Sequence, residues 1–291
     1  MKITASRVVT MQSSLNGQTA SFTSNAVFID GKTPYYQSRL LNEYGIRHAF
    51  FTRIGGVSEG VFESLNFAEG IGEIRDSEER VLMNYDIAAK CFGLSAKDVC
   101  RTYQTHTSVV VLADESKRGV GIVKPKFDFG VDGLVTTERD LLLSVRTADC
   151  VPVLLCDKSK SVCAAVHAGW RGTVGGITKN AVKMMCESGI DKSDILAAIG
   201  PCIGKCCYEV GEEVRDEFLA VDPLYGSFFT PNGQKYMLDL NKANEEILVG
   251  TGIPRQNISR LDLCTKCNEN HFFSHRRNGT SRGTMSAFIC L

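Results

Sequence analysis

The chain reads as an α/β protein, one domain built on a mixed sheet or on two packed sheets. Three observations predict this. Runs at 108–114, 141–146, 151–157, 161–167 and 195–200 are apolar along almost their whole length, which suits strands covered on at least one face. Stretches around them repeat apolar residues at helical spacing. The two patterns are interleaved without the steady alternation of a Rossmann sheet, and no Pro/Ser linker, internal repeat or low-complexity tract divides the chain.

The elements follow in order. VVTM and SFTSNAVFID in the first 35 residues predict short strands closed by the turn signal DGKTP. AFFTRIGGVS (49–58) predicts a strand running into a Gly-Gly turn. In DSEERVLMNYDIAAKCFG, Leu82, Tyr85, Ala89 and Phe92 recur at helical spacing, Asp76 with Glu79 has the form of a capping box, and Gly93 ends the helix. Beyond the apolar strands, GGITKNAVKMMCES places Ile177, Ala181 and Met184/Met185 on one helical face. EVGEEVRDEFLA does the same with Val210, Val214 and Phe218, NKANEEILVGTG adds a short helix, and MSAFICL a final strand.

Composition narrows the function. With 291 residues, 43% of them apolar, and no net charge, the chain has the balance of a globular protein with a substantial core. Lys and Arg are scattered with no basic block, so a nucleic-acid partner is not expected. No run approaches the length of a membrane span, and MKITASRVVTMQSS reads as neither signal peptide nor anchor, so a cytoplasmic location is expected. The 12 cysteines are then expected to be reduced, mostly as small buried hydrophobes, with metal binding as their other use.

Three loops at strand ends share a design. YQTHTS holds His106, VRTADCVP holds Asp149 and Cys150, and VHAGWRG holds His167. Together they offer a His-Cys-His set with a fourth position open, the arrangement of a catalytic zinc site. The spacing fits no local zinc motif, so His167 as a satisfied core histidine and Cys150 as filler between strands stay open. Asp149 needs partners to remain charged between apolar strands, and bracing one of the histidines is the usual duty of such a group. LDLCTKCNENHFFSH competes as a closed zinc shell of Cys264, Cys267, His271 and His275, although its central gap is shorter than a classical finger's. CIGKCC (202–207) offers more sulfur or a turn of small residues. The zinc deaminase signature fails: no glutamate follows His167, and the spacing after Pro201-Cys202 is wrong. Arg53, Arg171 and Arg276-Arg277 lie beside Gly-rich backbone or the SH pair, a sensible way to hold phosphate.

The strings TRIGGVSEGVFESLN (52–66), QTH (104–106), DGLVTT (132–137), ADCVPVLLCD (148–157), HAGWRGT (167–173), IGPCIGKCCYEVG (199–211) and FFSHRRNGTSRGTMSAFI (272–289) closely resemble the YfiH/LACC1-type family. Its members were once called multicopper polyphenol oxidases or laccases and are now described as purine nucleoside phosphorylases. The resemblance runs from about residue 50 to the C-terminus, roughly four fifths of the chain.

What the resemblance implies is a single domain over residues 1–291 folded as a four-layer α/β/β/α sandwich with mixed sheets. It implies a metal site on His106, Cys150 and His167, zinc in preference to copper, with Asp149 as orienting residue or acid/base. It assigns phosphate and substrate contacts to Asn66 and Arg171, with Arg53 and Arg276 as further candidates and Ser274 to Arg277 in the shared pocket motif. The implied substrates are adenosine, inosine, guanosine and S-methyl-5'-thioadenosine with inorganic phosphate, together with adenosine deamination. A monomer or homodimer is expected. A copper-dependent polyphenol oxidase and a cysteine hydrolase built on Cys150 and His167 are the alternatives. Departures from the family pattern fall at Thr107, where a glycine is usual, at Tyr85, where an arginine is usual and Arg53 is the candidate substitute, and at Thr284 in RGTM. With the resemblance in hand, the CxxC at 264–267 is read as local packing.

Overall fold

The computed structural model describes residues 14–15, 18–22, 25–71 and 73–291. Two mixed sheets dominate it. The first, of eight strands, runs in the order Ser14–Leu15, Gln18–Phe22, Ala26–Ile29, Tyr35–Ser38, Arg47–Phe51, Met285–Cys290, Leu142–Thr147, Val99–Arg101. The second, of six strands, runs Ile258–Arg260, Ile195–Ile199, Val151–Asp157, Cys163–Ala168, Gly133–Thr136, Val110–Leu112. Most neighbours are antiparallel, and three pairs are parallel: 142–144 with 99–101, 133–135 with 110–112, and 197–199 with 258–260. A three-stranded sheet (Glu209–Val210, Lys235–Leu238, Phe229–Asn232) and a small hairpin complete the β structure of the described residues.

Side-chain alternation explains the layers. Leu143, Val145, Ala287 and Ile289 of the first sheet meet Leu154, Cys156, Ala165 and Ala198 of the second in one core between the sheets. Their neighbours point outward. Leu142, Phe288 and Cys290 pack against Val81, Tyr85, Ala88 and Ala89 of the helix Glu78–Lys90. On the opposite face, Val153, Leu155, Ala164 and Val166 pack against the helices Ile177–Glu187, Glu212–Val221 and Leu240–Gly250. Helix, sheet, sheet, helix is the resulting order. Strands covered on both faces read as unbroken apolar runs, which is why 151–157 was legible to the residue.

Local expectations fared unevenly. VVTM lies outside the described residues, and SFTSNAVFID divides into two paired strands. The capping box is corrected: Ser77, not Asp76, caps the helix by accepting from Arg80 N, while Asp76 accepts from the Asn66 side chain. Tyr85 and Ala89 are buried as the spacing predicts, but Leu82 is 39% exposed, and Val81, Asn84 and Ala88 complete the buried stripe. No helix among the described residues is long and apolar enough to cross a membrane.

Candidate active site

The chain passes between the sheets twice within fifty residues, and both crossings carry chemistry. It leaves the first sheet at Arg101 and enters the second at Val110, with His106 between. It leaves the first sheet again at Thr147 and enters the second at Val151, with Asp149 and Cys150 between. Gln104 ties the crossings together, its amide donating to Arg146 O at 2.7 Å and accepting from Arg146 N at 2.8 Å. His167 faces them from the end of Cys163–Ala168, paired with Pro152 across the ladder. His106 (φ 61°) and Asp149 (φ 95°) hold positive backbone angles that L-residues seldom adopt, and such strain concentrates where a side chain must be aimed.

The ligand atoms of His106, Cys150 and His167 all lie within 4.8 Å of one another. Cys150 Sγ is 3.8 Å from His106 Nε2, and the two imidazoles stand edge to face with centroids 5.0 Å apart. Gly169 closes in on the three. A Cβ there would lie 3.0 Å from His106 Cδ2 and 3.2 Å from Cys150 Sγ, so a side chain would fill the space the donors surround. Two imidazoles, one thiolate and an open side suit a zinc ion with a reactive fourth position, so the residues present fit that group.

Asp132 organises the centre. Its buried carboxylate accepts from His167 Nδ1 at 2.8 Å, which leaves the other ring nitrogen toward Cys150. It also accepts from the backbone N–H groups of Thr105, His106 and Thr107 and from the Thr107 hydroxyl, at 2.9 to 3.1 Å. Thr107 thus adds a bond that a glycine at that position would lack. Asp149, expected to brace a histidine, braces neither. It accepts from Thr265 Oγ1 (2.6 Å), Ser274 Oγ (3.1 Å) and Arg276 N (2.6 Å), gathering the C-terminal loops instead.

Charge coupling sets the protonation of the metal-free centre. Burial by itself raises the Cys150 thiol, but the His167 imidazolium and hydrogen bonds from both histidines outweigh it and hold it at about 6. Burial lowers His167, and the Cys150 thiolate and Asp132 reverse that to about 9. Asp132 is drawn down to about 2: burial opposes ionisation, and His167 with the loop N–H groups overcomes it.

The centre opens onto a cavity of about 570 Å³, within the range of small-molecule sites. Arg146, Arg171, Arg276 and Arg282 bring positive charge to its wall, His275 an imidazole, and Trp170 and Tyr208 aromatic faces. The Nε atoms of Arg146 and Arg282 are buried with no hydrogen-bond partner. Among the described residues no carboxylate forms an ion pair with either, or with Arg171, which stacks on Trp170 at 4.2 Å. Burial and the nearby Arg101 lower the Arg146 guanidinium, the mark of a cation without a counter-ion.

Several residues assigned to substrate through resemblance stand elsewhere. Arg53 donates to Glu63 O (2.9 and 2.7 Å) and lies over the Phe273 ring, outside the cavity wall. Asn66 is fully buried, its amide engaged by Ala68, Asp76 and Thr284. Ser274 is buried, donates to Asp149 and caps the short helix His275–Asn278. Tyr85 packs in the core beside Phe67 and Phe288 and leaves no gap for an arginine there to fill. Asp132, Arg146 and Arg282 were missed as site residues, although a carboxylate opening an apolar strand and an arginine inside one were visible signals. The single-chain zinc shell at 264–275 does not form: His271 bonds Tyr36 Oη at 2.6 Å, and His275 lines the cavity.

Residues 47–291 match the model of the multi-copper polyphenol oxidoreductase laccase family. The chain belongs to this family. Among its relatives, the purine nucleoside phosphorylase YlmD of Geobacillus stearothermophilus is 38% identical over 82% of this chain and 87% of its own. The adenosine deaminase RL5 of an unknown prokaryotic organism is 36% identical over 81% and 90%. Among solved structures of the family, Bacillus licheniformis YfiH superposes with a TM-score of 0.82 at 33% identity, covering 90% of this chain and 97% of its own. The mixed α/β architecture with two sheets is therefore the family's fold.

Proposed function

We propose that this chain is a zinc-dependent purine nucleoside phosphorylase, acting on adenosine, inosine, guanosine and S-methyl-5'-thioadenosine with inorganic phosphate, and that it also deaminates adenosine. One observation carries the reading: a three-donor His-Cys-His centre opens onto a cavity whose guanidinium groups lack counter-ions. Relatives carrying both activity names, each matched over four fifths of this chain, support it.

Phosphate is held by the guanidinium groups of Arg146 and Arg282 on the cavity wall and by the exposed Arg171 fork. The bound anion attacks C1' of the ribose. A C–O bond forms, the C–N bond to the purine breaks, and its electron pair leaves with the base, which takes up a proton as the hydrogen phosphate gives one up on becoming a phosphate ester. Tyr208 is suited to donate a hydrogen bond, not its proton, to that base: burial, and then the Cys150 thiolate, push its hydroxyl up. Trp170 and Tyr208 offer flat faces for the purine. His106, Cys150 and His167 would hold a zinc ion, which would supply Lewis acidity when bound. Asp149 acts as a positioning residue, fixing the backbone of Arg276.

A multicopper oxidase needs more imidazoles than this fold gathers. Of five histidines, His48 bonds Ser38 N and Ile46 O and His271 bonds Tyr36, which leaves two in the centre and His275 on the wall. The acidified Cys150 beside His167 is also what a cysteine hydrolase uses. Incubating zinc-loaded protein with each nucleoside, with and without phosphate, separates the readings. Phosphate-dependent release of free base is expected. Conversion of adenosine to inosine alone, irrespective of phosphate, overturns phosphorolysis, and turnover of an ester substrate by chelator-treated protein favours the hydrolase.

A further inference from the structure

We propose that Cys206, Cys207, Cys264 and Cys267 bind a second metal ion, a tetrahedral zinc that is structural, not catalytic. Two segments far apart in sequence bring these thiols together, and their sulfur atoms all lie within 4.8 Å of one another. Cys267 Sγ is 3.4 Å from Cys207 Sγ and 3.7 Å from Cys206 Sγ. Four sulfurs around zinc at a bond length of about 2.3 Å sit at tetrahedral edges of about 3.8 Å. A disulfide requires about 2.0 Å. The observed separations match the first geometry, and all four thiols are free.

The surroundings are shaped for a thiolate cluster. Gly204 N donates to Cys264 Sγ at 3.3 Å, as backbone N–H groups do to metal-bound sulfur. A Cβ on Gly204 would lie 3.2 Å from both Cys206 Sγ and Cys264 Cβ, so the glycine lets the two segments close on each other. The 264–267 pair, read from sequence as local packing, has its partners sixty residues away. Cys206 and Cys267 are exposed and the other two half-buried, so metal can enter from solvent, releasing the thiol protons.

The ion would clamp one wall of the cavity. Residues 202–208 carry Ile203 and Tyr208, both on that wall. Residues 264–277 carry Thr265, which donates to Asp149, and Arg276, whose guanidinium lies 5.2 Å from the Tyr208 ring. Backbone bonds join the segments at Cys202 and Thr265, and Arg277 donates to Thr265 O and Lys266 O. Four thiolates sharing a cation would lock these pieces without exposing an open coordination position.

The test counts metal and reads its ligands. Chelator-stripped wild-type protein titrated with Co(II) is expected to bind two ions per chain, one with the thiolate charge-transfer intensity of a four-sulfur tetrahedral site. The His106→Ala variant is expected to keep that band with one ion, and Cys264→Ser to lose it, keep the other ion and melt at a lower temperature. Zinc is expected to protect the four thiols from alkylation in wild-type protein, which gives a readout if Cys264→Ser fails to fold. The proposal is overturned if the His106→Ala variant binds no Co(II), if alkylation proceeds equally with and without zinc, or if peptide mapping of anaerobically prepared protein finds a disulfide to Cys267.

Discussion

At the scale of single residues, Asp132 governs the centre, because one carboxylate fixes both the His167 ring and the loop that aims His106. Removing such an orienting group weakens metal binding by roughly 10- to 100-fold. Asp132→Asn is therefore expected to lower zinc affinity by that factor in a chelator competition while the other donors stay in place. The Cys150 thiol gives a pH signature. Held at about 6 in the metal-free protein, it is half ionised there instead of near the ordinary cysteine value of about 8.5. Its alkylation rate after zinc removal should rise with pH through about 6 and then level off. Cys156 and Cys163, pushed up chiefly by burial, should stay unreactive over that window. A midpoint near the ordinary value would show that His167 does not carry the proton.

At the scale of elements, the strand Met285–Cys290 joins two layers. Phe288 projects outward from it and meets the rings of Phe51, Phe67 and Tyr85 at 5.5 to 6.1 Å, all in the core under the helix Glu78–Lys90. Phe288→Ala is expected to cost about 3–5 kcal/mol, measurable as a lower urea midpoint. Leu82→Lys on the same helix should change stability by no more than about 0.5 kcal/mol, since Leu82 faces solvent. Helical spacing predicted this element and its buried Tyr85 and Ala89, yet put Leu82 on the inward face where the structure has Val81. Apolar residues occur on both sides of Val81, and only the packed sheet decides which stripe is inward. The strands 151–157 and 195–199 were legible because both their faces are covered. Short strands such as Val99–Arg101 and Ile258–Arg260 were not, because three residues carry too little pattern.

At the scale of the whole molecule, the arginines sort by where the fold carries them. Arg146 and Arg282 come from different segments and meet at one cavity, whereas Arg53 latches the loop at Glu63. Arg146→Ala and Arg282→Ala should each raise the phosphate KM at least about tenfold, as loss of a charge-assisted bond of about 1.5–3 kcal/mol implies. Arg53→Ala should lower the melting temperature and leave that KM within a factor of about two. The reverse pattern in a phosphate titration would return the anion site to Arg53.

The sequence by itself determined that helices and apolar strands mix in one chain, that it resembles this family, and that His106, Cys150 and His167 stand in loops at strand ends. These are local properties, written in periodicity and in short strings. Tertiary structure alone decided that two sheet crossings and a strand end bring those three donors within 4.8 Å, with Asp132 and not Asp149 behind His167. It alone joined the cysteines at 206–207 to those at 264–267. The physical reason is that a strand pattern states which face is buried but not which distant strand covers it, and every one of these contacts forms across that gap.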